Sequence, residues 1–159
     1  MAGPVARDPD DDAGDGPVLQ GDAAEMLKVV IAIVLAAHGI GHVIGILQVL
    51  RIGGTSPAWD GRSWILGDVA GTGVTGLLGL ALWSVAMVGF LAAAAVVLGW
   101  LPSDWWTPLA LVASLASLAG IVLFPSAFPT SSTIGALVVD LAVLVAVLWY
   151  RWTPADIGA

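Results

Sequence analysis

The chain has only two histidines, His38 and His42, which stand four residues apart inside the apolar run 29–50. Polar groups at the depth of a membrane span carry a free-energy cost, so those retained there are functional-site candidates, with helix packing as the plainer alternative. Residues four apart stack on one helical face, which puts both imidazoles on the same side of one helix. A carboxylate, Asp140, lies eight residues after Ser132 in a later apolar run, and His42 lies eight residues before Leu50. If Leu50 and Ser132 mark the same membrane face, each group is about 12 Å in from it. We therefore expect His42 and Asp140 to face each other, because a carboxylate in hydrocarbon is penalised until it finds a partner or a proton. Asp68, with Thr72 and Thr75, enters from the same side. It is expected either to complete the polar cluster or to cap a helix at its positive end.

Three kinds of chemistry suit these residues. His42 and Asp140 can exchange a proton or hold a cation, as in a small transporter or proton relay. His38 and His42 can bind one metal ion, with Asp140 or Asp68 as a third ligand and an open position left over. Haem is a variant of the metal reading, but two histidines on one helix face cannot supply both axial ligands to one haem without dimerisation. The third kind is structural: an accessory subunit whose polar cluster specifies assembly, alone as a homo-oligomer or within a membrane complex. Protease chemistry is disfavoured, since Gly39 stands where a zinc-protease helix carries its glutamate. The run Gly71-Thr72-Gly73-Val74-Thr75-Gly76 lacks the lysine of a phosphate-binding loop. Binding or transport is thus preferred over enzymology, with no cofactor assigned.

The elements that must position these groups follow from composition. Hydrophobic residues make up 58% of the 159 residues and charged ones 11%, and the mean hydropathy is +0.96. Such a chain with long apolar runs is an integral membrane protein whose first partner is the bilayer. The net charge of −7 resides largely ahead of the first span, in Asp8, Asp10, Asp11, Asp12, Asp15, Asp22 and Glu25. With five Lys plus Arg there is no basic patch for nucleic acid, and with no cysteine there is no disulfide or thiolate site. Residues 1–26 are expected to form a disordered acidic arm. They lack the positive start of a signal peptide, so the first span is expected to stay in the mature chain.

Four spans are expected at about 27–50, 74–101, 106–124 and 132–152, an all-α up-down transmembrane bundle. The glycine cluster 71–76 should interrupt the second helix at its start. Pro108 fits the first turn of the third helix, and Ser131, Ser132 and Thr133 offer caps for the fourth. Ala37, Gly41 and Gly45 form a small-residue ladder for close helix approach beside the histidines, and Ala113 with Ser117 and Ala116 with Gly120 form others. Trp59, Trp64, Trp100, Trp105, Trp106, Trp149 and Trp152 are placed as an interfacial belt, with Trp83 in mid-span. Lys28 and Arg151 on one side balance Arg51 and Arg62 on the other. Both termini are assigned to the cytoplasm because an acidic tail without a signal is more simply left there.

The motif Ala37-His38-Gly39-Ile40-Gly41-His42, with the 135–140 start of the last span, resembles the small four-span cell-membrane proteins of haloarchaea. The acid-rich, lysine-poor composition resembles haloarchaeal proteomes as well. The resemblance covers about residues 27–152 and implies the four-helix fold. It implies no activity.

Overall fold

The computed structural model describes residues 16–52 and 59–157, with side chains from Gly21 onward. Five helices form four membrane-length segments: α1 (Gly16–Gly41) with α2 (Val43–Leu50), α3 (Gly67–Val97), α4 (Trp106–Leu123) and α5 (Thr130–Leu148). All four segments are long and apolar enough to cross a membrane. Helix α3 is central and packs on α1, α2 and α4, while α5 leans mainly on α4 and scarcely touches α1. Residues 1–15 of the expected acidic arm lie outside the described residues. The first helix nevertheless begins at Gly16, ahead of the expected start at residue 27, and includes the Glu25–Lys28 ion pair at 2.7 Å. We call the end carrying residues 51–52, 59–66 and 124–129 the loop face, and the opposite end the tail face.

Close packing here cannot rely on expelling water between helices, since lipid is as apolar as the side chains, so small residues that let backbones approach carry the contacts. Helix α1 meets α3 along Ala32, Leu35 and Gly39, where an added Cβ at Gly39 would stand 3.1 Å from Met87 O and Phe90 Cβ. Helix α3 meets α4 where a Cβ on Gly89 would come within 2.7 Å of Ala113. The ladder in the first span is therefore only partly a helix contact. Gly45 abuts Trp83 and Phe128, but Gly41 faces open space.

Glycine and the caps decide where the helices stop. Helix α3 is broken at Gly71, inside the expected glycine cluster, with φ 71° and ψ 163°. That backbone region is open essentially to glycine alone. Nothing lies within 4 Å of a Cβ built at Gly71 or at Gly73, so the two positions differ only in backbone. Gly71→Ala is expected to destabilise by about 1–3 kcal/mol. Gly73→Ala, in regular helix, should be neutral or gain up to about 1 kcal/mol. Unfolding of both variants in mild detergent checks the contrast, and equal effects would sink it.

The second span ends at Val97, short of the expected 101. Gly99 turns left-handed at φ 75°, with Gly99 N–H donating to Val96 O and Trp100 N–H to Ala95 O, the paired bonds of a Schellman ending. The fourth span stops at Leu148, before the expected 152, as Arg151 adopts φ 51° and Trp152 N–H returns to Ala146 O. The residue preceding α5 is Pro129, and no side chain of Ser131, Ser132 or Thr133 caps it. Thr133 donates its hydroxyl back to Pro129 O at 3.2 Å instead.

The belt expectation also needs correction. Trp64, Trp100, Trp105 and Trp149 are exposed near the helix ends, but Trp59 and Trp106 are buried. Trp59 packs edge-on against Trp83 and Phe124 and donates to Arg62 O at 3.0 Å. Trp106 packs edge-on against Trp152 and donates to Trp152 O at 2.9 Å. Each indole N–H finds a backbone carbonyl, which lets the ring be buried in a bundle end where lipid headgroups were expected. The loop face is closed in the same way. Ser63 and Trp64 donate to Leu123 O and Val122 O, two carbonyls left over at the end of α4. Thr75 donates its hydroxyl to Gly61 O.

Candidate functional site

The site is built on the break between α1 and α2. His42 is the single turn residue between them, with φ −69° and ψ −16°, its N–H reaching Gly39 O at 3.1 Å. Four residues advance the helix about 40° beyond a full turn, and this offset separates the two rings. His42 is buried with Gly39 and Gly45 on the side facing α3, and His38 points between α3 and α5. Phe90 of α3 fits against both imidazoles. It is edge-on to His38 at 4.5 Å and parallel to His42 at 6.4 Å, while the two imidazoles stand edge-on at 5.1 Å.

Asp140 is fully buried on the inner side of α5. Its partner is His38, with Nε2 and Oδ1 3.0 Å apart, and not His42 as the depth comparison anticipated. Helix α5 begins at Thr130, two residues before the reference used for depth, which puts Asp140 about 15 Å in, midway between His42 and His38. With depth no longer discriminating, the direction each ring points around the helix decides, and His38 faces α5. The other carboxylate oxygen, Oδ2, accepts from Ser117 of α4 at 2.6 Å. One carboxylate thus ties α1, α4 and α5 together. Either the His38 Nε2–H donates to an ionised Asp140, or a protonated Asp140 donates to Nε2, so the pair holds one transferable proton in both forms.

Among the described residues His42 has no such partner. It is 5% exposed, and its Nε2 is buried without a hydrogen bond. Buried unpaired ring nitrogens are uncommon in native structures and call for an explanation. His42 and His38 both line a cavity of about 420 Å³ between α1 and α5, closed at the loop face by Phe128, Ser132 and Thr133. Gly41 and Gly135 line it too, and an added Cβ would meet nothing within 4 Å at either. A second cavity of about 490 Å³ continues along α1 and α5 toward the tail face, between Val30, Trp106, Ala146 and Trp152. Val34 and Val139 line both cavities.

Asp68 stands apart from this cluster. It is exposed in the first turn of α3 and lines a surface cavity with Ser63, Trp64 and Ser126 at the loop face. Nor is it the cap of α3. Leu66 occupies that position, and Ser63 Oγ accepts from the N–H of Ile65 and Leu66. Thr75 is buried against Gly61 and its own helix, away from the histidines. Sequence reasoning missed Ser117, which it had counted only as a small packing residue. Its hydroxyl at the depth of Asp140 was the available signal.

The arrangement narrows the chemistry. Ser117, Asp140 and His38 are joined with the carboxylate in the middle, so no imidazole is placed to take the serine proton, and nucleophilic catalysis by Ser117 is not built in. A metal held jointly by His38, His42 and Asp140 is not formed either. Asp140 bonds a nitrogen of His38 directly, and among the described residues no three His, Asp or Glu side chains converge on an ion position. What remains is a carboxylate-oriented imidazole and a second, unpaired imidazole on the wall of one cavity. Comparison with protein-family models, curated proteins and solved structures finds no match to this chain.

Proposed function

We propose that this multi-pass membrane protein binds a small ligand in the cleft between α1 and α5, beside a His38–Asp140 pair that holds one transferable proton. The observation that carries the reading is that His38, oriented by Asp140, and His42 share the wall of one cavity. The polar string His42, His38, Asp140, Ser117 runs across the bundle from α2 to α4, and toward the tail face the cleft is lined by Val30, Ile31, Ala142 and Val143. This favours a local binding role over conduction of protons or cations across the bilayer.

A second reading has one observation behind it. Because α1 and α5 scarcely touch elsewhere, the pair would serve as a staple between them. Asp140→Asn separates the two. The asparagine amide can donate to His38 Nε2 while its oxygen still accepts from Ser117, so a staple survives and the transferable proton does not. With two histidines in the chain, ¹⁵N-histidine NMR in nanodiscs gives assignable ring signals. In the wild type the His38 signals should respond to pH. In Asp140→Asn they should stay in the Nδ1–H tautomer at every pH tested, with the thermal midpoint retained. A wild-type His38 indifferent to pH would leave only the staple.

A further inference from the structure

We propose that the ligand is a neutral amphiphile that enters from the bilayer, with a carbonyl or hydroxyl head held at His42 and a long apolar tail laid along the α1–α5 groove. The inference rests on the binding reading above and names its ligand class. The two cavities share Val34 and Val139 and so adjoin end to end. From His42 to Val30 the groove follows twelve residues of helix, about 18 Å. Its volume falls in the range of small-molecule sites, about 300–1,000 Å³, and its apolar walls with a few polar groups at one end fit that kind of site.

The polar end selects the head. Among the described residues no Lys, Arg, Asp or Glu lines either cavity. An anionic head would lack a counter-charge in hydrocarbon, and a cationic head would find Asp140 fully buried behind His38 and Ser117 and outside both cavity linings. The polar groups lining the head end are the imidazoles of His38 and His42 and the hydroxyls of Ser132 and Thr133, all uncharged donors or acceptors. Those match an uncharged head with a carbonyl or hydroxyl. The tail end, bounded by Val30, Ala142, Ala146 and Trp152, offers only hydrocarbon and indole faces. Val34 and Val138, both exposed, leave the groove open on its lipid side, which gives the ligand a lateral path.

The test uses the full chain in nanodiscs and tritiated decylubiquinone, a carbonyl head on a ten-carbon tail, with empty nanodiscs correcting for partition. Saturable binding is expected, displaced by dodecanol and not by dodecane or dodecanoate. His42→Leu, which replaces an unpaired buried ring by a hydrocarbon and keeps the His38–Asp140 pair, should weaken binding about tenfold. Gly41→Leu fills the head cavity from a position where a Cβ meets nothing, and should abolish binding with the thermal midpoint unchanged. The proposal is overturned by any of four results: absence of saturable binding; dodecane competing as well as dodecanol, as for a bulk lipid chain; preference for dodecanoate; or a dimer that Gly41→Leu dissociates, which would assign the groove to a second copy. If His38 shows its NMR response and decylubiquinone does not bind, the ligand class falls and the transferable proton of the pair stands.

Discussion

Trp83→Ala is expected to lower the unfolding free energy by about 2–4 kcal/mol, the largest loss of any single substitution in the bundle. Trp83 is 1% exposed and sits where three glycines make room for its ring. Cβ atoms added at Gly45, Gly79 and Gly120 would stand 2.6, 3.2 and 2.9 Å from the indole. Its faces and edges meet Trp59, Phe124 and Phe128 at centroid distances of 5.1, 5.7 and 5.4 Å. In a water-soluble core such a truncation costs about 3–5 kcal/mol. Here the transfer contribution is small, because lipid solvates the ring nearly as well as the interior does, and the cavity contribution dominates. The glycines cannot collapse onto the space, since they have no side chains to move into it. Equilibrium unfolding with SDS from mild detergent measures the loss; a value under about 1 kcal/mol would show that the cluster is not close-packed.

Asp140→Ala is expected to destabilise by about 1–3 kcal/mol, through the loss of its bonds to His38 and Ser117. Two contributions oppose each other. Interhelical hydrogen bonds in membranes contribute about 0.6 kcal/mol on average and up to about 1.7, and their removal leaves a ring nitrogen and a hydroxyl unsatisfied. Against that, the substitution removes a carboxylate whose burial is itself unfavourable. The loss of partners wins because both freed groups remain buried. The double variant His38→Leu, Asp140→Leu removes that penalty and should regain most of the stability, as replacement of buried pairs by packed hydrocarbon often does. A double variant as stable as the wild type would show that the pair is not needed to hold the fold. Failure of the double variant to recover stability would instead assign Asp140 to the staple.

The histidine motif was legible because it is local. Two imidazoles at i and i+4 in an apolar run need no tertiary information to be placed on one helix and recognised as costly. Asp140 was legible for the same reason. Their pairing was not, because depth counted along two helices shifts by about half a turn when an end moves by two residues, as α5 did at Thr130, and that is enough to place Asp140 midway between the two histidines. Ser117 looked like packing because small hydroxyl residues serve both purposes in membrane helices. Trp59 and Trp106 were assigned to an interfacial belt because the sequence cannot show which carbonyls, Arg62 O and Trp152 O, are free to accept their N–H groups.

By itself the sequence determined the four apolar segments, their order and the rank of His38, His42 and Asp140 as candidate site residues. These follow from composition and period, which act within a helix or between a helix and lipid. Only the tertiary structure decided that His38 rather than His42 holds Asp140, that Ser117 completes the group, and that α5 stands off α1 to leave a cleft beside an unpaired imidazole. These depend on the rotation of each helix about its own axis, and a helix in lipid can turn either way until a neighbour's side chains set the angle.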